Sequence, residues 1–410
     1  MDQHMAPPAR TRQRLIVPDL ARGTALLGIA LANVTSAWIV NDFSQDKSSP
    51  GWTLGGVQDG SLIDDISAVF AAMFIHVRGL PMFSTLLGFG FGLVAASMAR
   101  KGYSAKEARR VLVRRYAMLA VFGLVHMMLI FYGDIMLTYG LIGMLLAVGF
   151  TWSGRTLRII SYLVLGLLSA MGVAGAYMTL YFEGDSGAMD RPGDFSSLSA
   201  YFAGNFDGGL IMLASQPFAV IQLGALSTIG YLWARERVLI DVQRHRRTLI
   251  TWTVIAAVIV VGVGLPWGLS AIGVLPTEWE LPLMMLNQAV GLFTGPGILA
   301  ALALATDSLN NEVPGWARAF VALGKRSMSG YLAQSVLFIA LVMPFTLGLG
   351  AEASVSGQLA AGLLVWLITL GLAVALDRAG HQGPFEWAHR RLSYGKTGRI
   401  EPKHDVQITR

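Results

Sequence analysis

Residues 114–146 read RRYAMLAVFGLVHMMLIFYGDIMLTYGLIGMLL, and this stretch decides the fold class. Beyond its opening arginines it is almost continuously apolar, interrupted by His126 in one half and Asp134 at the start of the other. Phe131-Tyr132-Gly133-Asp134 divides it into two spans joined by a tight turn. The expectation is a helical hairpin in a membrane, with His126 about two helical turns below the turn. Ionisable side chains at membrane depth are expensive, so the pair is a candidate functional site. A plainer reading stands beside it, in which Asp134 caps the second helix and His126 hydrogen-bonds a neighbour.

Working outward, the rest of the chain has the same character. Hydrophobic residues make up 54% of the 410 and charged residues only 14%, too little charge to cover a soluble fold of that size. Several apolar runs reach the roughly 20 residues that cross a bilayer as helix. The fold class is therefore all-α, a polytopic membrane protein. With no cysteine in the chain, disulfides, thiolate metal sites and cysteine nucleophiles are excluded. The first residues are a basic lead-in without a small-residue cleavage site, and are read as uncleaved.

Ten spans are expected, near 23–40, 66–98, 116–132, 134–152, 157–181, 208–234, 248–272, 283–305, 328–349 and 357–377. They divide the chain into an N-terminal segment 1–22, a transmembrane domain 23–377 and a C-terminal tail 378–410. The second span is long and holds His76-Val77-Arg78-Gly79-Leu80-Pro81, which predicts a broken helix. Irregular backbone at that depth survives only when buried in protein or lining a cavity. Placing the N-terminus in the cytoplasm puts all of the 31 Lys and Arg inside except Lys47, Arg78 and Arg191. That asymmetry predicts both termini inside. It also assigns the net charge of +6 to topology rather than to nucleic acid.

On this topology Arg78, His126 and Asp134 are expected to converge in the outer half of the membrane. Asp134 would fix the imidazole tautomer and raise its basicity; Arg78 would bind an anionic substrate group or Asp134, or simply snorkel to the interface. Asn33, midway along the first span, needs a polar partner. Arg22, Lys325 and Arg326 sit at cytoplasmic helix ends, where they hold phosphate or merely anchor the helices. Gln334 and Ser335 follow about two turns into GKRSMSGYLAQS (324–335), where Ser327, Ser329, Tyr331 and Gln334 line a polar channel or pack. Gly88 and Gly92 form a G-x-x-x-G, a helix-packing signal. No metal site is expected, because the seven histidines are scattered. No zinc, Walker or nucleophile-elbow motif is present.

Four stretches together, LARGTALLGIALANV (20–34), HVRGLPMFSTLLGFGFGL (76–93), the hairpin itself and GKRSMSGYLAQS, resemble the YeiB family of bacterial multi-pass membrane proteins. That family looks related to transmembrane acyltransferases such as heparan-α-glucosaminide N-acetyltransferase. The resemblance implies transfer of an acyl group from cytoplasmic acetyl-CoA, or another acyl-CoA, to an extracytoplasmic glycan or glycolipid. Asn33 aligns with an asparagine of the eukaryotic relative. The relative's catalytic histidine has no counterpart in NDFSQDKSSPGW (41–52), so either His126 takes that role or the chemistry differs. Under the acyl-transfer expectation His126 and Asp134 act as base and orienter. Arg78 and Asn33 serve the oxyanion or the acceptor, and Arg22, Lys325, Arg326 and Gln334 hold the donor. A proton-coupled transporter and a noncatalytic lipid-binding protein remain alternatives. Membrane lipid is the surrounding partner, and a homodimer is compatible with the sequence.

Overall fold

A helix supplies all its own backbone hydrogen bonds, which is why a chain this apolar folds as helices. The computed structural model describes residues 16–47, 49–181, 196–310 and 313–403. Among them α1 (Ile16–Asn33) runs into a π-turn at Val34–Trp38, and α2 (Asp42–Gln45) is one turn in the following loop. Helices α3 (Leu62–Phe70) and α4 (Gly79–Arg100) are the two parts of the broken span. The hairpin is α5 (Ala105–Leu129) and α6 (Met136–Gly149). Then follow α7 (Gly154–Met178), the 39-residue α8 (Leu198–Glu236), α9 (Arg246–Ile259) and α10 (Leu265–Ala271). The last six are α11 (Glu280–Val290), α12 (Thr294–Thr306), α13 (Gly315–Lys325), α14 (Ser327–Leu341), α15 (Val355–Arg378) and α16 (Pro384–Tyr394). No described residue is in a strand.

Eight helical segments are long and apolar enough to cross a membrane, and α6 and α14 are shorter apolar helices. Each of the ten expected spans therefore has its helix. Large apolar side chains such as Leu163, Leu167 and Met171 on α7 point outward and exposed, as a lipid-facing surface requires. The N-terminal boundary differs from expectation: α1 already begins at Ile16, so Asp19 and Arg22 lie within it. The acidic loop with Glu183, Asp185, Asp190 and Asp194, Arg191 and the first 15 residues lie outside the described residues.

Helix contacts form where side chains shrink. A methyl group on Gly88 would overlap the Ser227 carbonyl, and one on Gly230 the Thr85 carbonyl. So α4 and α8 touch backbone to backbone, and Gly92 against Ala234 extends the seam. The G-x-x-x-G signal thus marks packing. The break between α3 and α4 is as expected. Val77 sits at φ 59, a left-handed conformation that a β-branched residue adopts only under constraint. Three neighbours hold it: Thr294 Oγ1 donates to the Val77 carbonyl (3.2 Å), Arg78 Nη1 to the same oxygen (3.4 Å), and Asn287 Nδ2 to the His76 carbonyl (3.4 Å).

The loops segregate into two ends. At one, Glu280 accepts from the amides of Gly51 and Thr53, Asp64 accepts from Ser354 and Ser356, and Asn41 donates to Ala351 and Ala353. The basic loops occupy the other end. There Tyr103 donates to the Glu401 carbonyl, Lys403 pairs with Glu107 (2.6 Å) and Arg114 donates to the Leu392 carbonyl (2.9 Å). The tail is therefore no free appendage. Amphipathic α16 lies along α5, with His389 Nε2 bonded to the Arg115 carbonyl (2.9 Å). Its Glu386 accepts from the amides of Met328 and Ser329 at the start of α14 (2.8 and 3.1 Å), satisfying donors that every helix N-terminus leaves open.

Candidate functional site

The α5–α6 hairpin turns after Leu129, so His126 is one turn from the tip rather than two. Its Nδ1 lies 2.7 Å from Asp134 Oδ2, and the two side chains are 2% and 0% exposed. The other carboxylate oxygen, Oδ1, accepts from the Leu137 amide at 2.8 Å. Asp134 thus both accepts from the first turn of α6 and holds the histidine. With Asp134 ionised its carboxylate can only accept, which places the ring proton on Nδ1 and leaves Nε2 as an acceptor. That nitrogen faces Ser335 Oγ of α14 at 3.0 Å. A serine, a histidine and an aspartate are therefore joined in one buried relay.

The tip is clamped from α8. Asn205 accepts from the Tyr132 amide (2.6 Å) and donates to the Met127 and Met128 carbonyls (3.1 Å each), while Tyr201 donates to the Ile130 carbonyl (2.5 Å). These bonds take up carbonyls and an amide that the end of α5 and the turn leave without helical partners. Toward the end opposite the basic loops, the relay is covered by aromatic rings. Trp38, on the π-turn, stacks on Phe131 (centroids 4.6 Å) and Phe338 (5.1 Å), with Tyr201 at 6.3 Å. Phe131 in turn meets the His126 ring edge-on at 6.4 Å.

A cavity of about 350 Å³ approaches from the basic end. Its mouth carries Asp19, Arg22, Arg115, Lys325, Glu386, His389 and Arg390, and it deepens past Phe83 and Leu119 to Ile135, Met136, Tyr139 and Tyr331. Tyr331 forms its limit toward the relay, with its ring 5.3 Å from that of His126. The Tyr331 hydroxyl is buried and, among the described residues, completes no hydrogen bond, the Ile135 backbone being its polar neighbour. The cavity thus stops one side chain short of His126.

The remaining sequence candidates divide. Arg22 and Lys325 line the mouth. Arg22 also bonds Asp19 (3.3 Å) and reaches beside Gly90, where a Cβ would sit 3.0 Å from its Nη2. Lys325 is 3.6 Å from Asp377. Arg326, expected beside them, does not line the cavity. It is buried, bonded to Asp377 (2.8 Å) and to the Ala322 and His381 carbonyls, because it closes the chain between α13 and α15. Arg78 does not meet Asp134. Its guanidinium donates to Asn287 Oδ1 (2.8 Å) and to the Met73, Val77 and Ala72 carbonyls. Those carbonyls belong to the broken helix, which is what calls a buried cation there. Gln334 donates to the Leu26 carbonyl (3.3 Å), joining α14 to α1, and lies off the cavity wall. Asn33 is half-buried at the end of α1, and its side chain makes no hydrogen bond to a described residue.

Sequence reading left Ser335 in an undecided polar stretch and gave no role to Arg115, Asn205 or His389. For Ser335 one signal was present. Ser327, Tyr331 and Ser335 are four residues apart, hence on one helix face. His389 sits where burial first, and the Arg115 charge second, push its imidazole down to about 4.

The family model described as "Protein of unknown function (DUF418)" matches residues 233–396, from the end of α8 through α16. The uncharacterized protein YxaH of Bacillus subtilis is 23% identical, covering 94% of this chain and 96% of its own. The uncharacterized protein YeiB of Escherichia coli is 25% identical, covering 94% of this chain and 98% of its own. The resemblance to the YeiB family therefore runs the length of the chain.

Proposed function

We propose that this YeiB-like membrane protein is an acyltransferase, taking an acyl group from a thioester donor such as acetyl-CoA and passing it to a hydroxyl or amine. One observation carries the reading: a carboxylate-oriented histidine, buried at membrane depth, whose second nitrogen faces the Ser335 hydroxyl one side chain beyond the end of a cavity with cations at its mouth. Buried polar side chains are ordinarily satisfied by backbone or by mutual bonding. A directed chain from carboxylate to imidazole to hydroxyl is instead the arrangement that moves a proton during acyl transfer.

The cavity suits a long donor with a charged head and a thin apolar stem. Arg22, Arg115, Lys325 and Arg390 gather at the mouth, where they serve phosphates as guanidinium and ammonium groups commonly do. The walls beyond are apolar or aromatic as far as Tyr139 and Tyr331. If the basic end is cytoplasmic, as the positive-inside rule predicts for a bacterial inner membrane, donor enters from the cytosol. The acceptor then comes from beyond the Trp38 stack, and a cell-envelope glycan is the class that fits.

The test uses the purified protein in lipid nanodiscs with acetyl-CoA. Binding of acetyl-CoA and release of free CoA, both lost when Arg22 and Lys325 are changed to Glu, is the expected result. No binding and no release with acetyl-, propionyl- or longer acyl-CoA would end the acyl-transfer reading.

A further inference from the structure

Hydroxyls on membrane helices ordinarily bond their own helix. Thr85, Ser161 and Thr228 each donate to the carbonyl one turn back, at 3.0, 2.9 and 2.8 Å, the usual way to satisfy a serine or threonine in a helix. Ser335 does otherwise: its hydroxyl reaches across to His126 Nε2 at 3.0 Å. It is 3% exposed, and the groups around the relay are ordered from both sides, by Asp134 on His126 and by Asn205 on the hairpin tip. The face of α14 that carries it already lines the cavity at Ser327 and Tyr331, and Ser335 lies one turn further along that face.

We propose that Ser335 is the nucleophile and that the acyl group passes through an ester on its Oγ. This inference rests on the acyl-transfer reading above and adds a covalent step to it. In the first half-reaction Ser335 Oγ attacks the thioester carbonyl while His126 Nε2 takes the hydroxyl proton. The C–S bond then breaks, and the departing thiolate receives that proton from His126, leaving acyl-Ser335 and free thiol. In the second half-reaction the acceptor hydroxyl or amine attacks the ester and gives its proton to His126. The C–Oγ bond breaks, and Ser335 recovers the proton. Asp134 stays ionised throughout and stabilises the imidazolium formed in each half. The buried Tyr331 hydroxyl, one turn from Ser335 and with no hydrogen bond completed, is the donor placed to meet the oxyanion once a substrate displaces its ring.

The experiment follows the protein covalently. Nanodisc-embedded protein is incubated with acetyl-CoA without acceptor, quenched in acid, digested and examined by mass spectrometry, and a parallel sample is treated with a small alkyl fluorophosphonate. The expected result is an acetyl ester on the peptide bearing Ser335, discharged when glucosamine is added. Ser335→Ala should lose the ester and slow CoA release by roughly 10³-fold or more while acetyl-CoA binding persists. Ser335→Cys, which keeps a nucleophile, should retain an adduct. Release within a few-fold of wild type in Ser335→Ala, with no ester in wild type, would overturn the serine and leave direct transfer from donor to acceptor standing. Phosphonylation of Ser335 that needs His126, without any CoA release, would uphold the nucleophile and remove the thioester donor. Neither ester nor phosphonylation at Ser335 would overturn this proposal outright.

Discussion

A single hydrogen-bond acceptor decides the character of the site. Asp134 spends one oxygen on the Leu137 amide and the other on His126, so replacing it by Asn separates the two functions. An amide keeps the acceptor that caps α6. Its NH₂, turned toward His126, would donate where the carboxylate accepted, leaving the proton on Nε2 and no acceptor for Ser335. Asp134→Asn should therefore fold with a nearly unchanged melting temperature yet lose roughly 10³- to 10⁴-fold in CoA release. A large loss of thermal stability with proportionate activity would mean that the pair is only structural. Tyr331→Phe removes one hydroxyl that completes no bond in the resting protein, so it should cost little stability. Removing an oxyanion donor is expected to slow turnover by about 10²- to 10³-fold, measured as initial rate at saturating acetyl-CoA.

At the scale of elements, close approach and irregular backbone do most of the positioning. The α4–α8 seam has no room for a Cβ at Gly88, where the Ser227 carbonyl and the Tyr231 amide press in. Gly88→Ala should destabilise the folded protein by about 2 kcal/mol or more through overpacking. Gly166→Ala, with nothing within 4 Å and in the interior of a helix, should leave it at least as stable in the same thermal-unfolding assay. Helix α16 offers a pH-dependent prediction. His389 titrates at about 4 against its ordinary 6.5, so the docked helix keeps it neutral while a released helix takes up a proton. Docking is then unaffected above 6.5 and weakens as pH falls from 6.5 to 4, by at most about 3 kcal/mol. Hydrogen-exchange protection over 384–394, corrected for the intrinsic pH dependence of amide exchange, should fall through that window in wild type, and His389→Gln should abolish that fall.

For the whole molecule, the two ends differ in charge and in access. The cavity opens among the basic loops, while the Trp38–Phe131–Phe338 stack closes the opposite side. Because the chain has no cysteine, orientation can be read from single introduced thiols. Arg237→Cys, at the basic end, should react with an impermeant maleimide only after cells are opened. Lys47→Cys and Glu278→Cys should react in intact cells. The reverse pattern would invert the donor and acceptor sides and with them the direction of transfer.

Sequence alone determined the class, the ten helical segments, the break at His76–Arg78 and the packing glycines. Each of these follows from local physics: apolar length against bilayer thickness, a proline and glycines that interrupt a helix, and small residues where backbones touch. The His126–Asp134 pair was legible for the same reason, since eight residues and one turn separate its members. Ser335 was not, because it stands 209 positions from His126 and only the packing of α14 beside α5 brings its hydroxyl to that nitrogen. Folding likewise took Arg78 out of the candidate site and put it on the broken helix. It turned Arg326 inward to Asp377 and brought Arg115, Glu386 and His389 to the mouth of the cavity. A buried cation goes wherever unpaired carbonyls and carboxylates lie, and their positions are fixed by how distant helices meet, which no local pattern records.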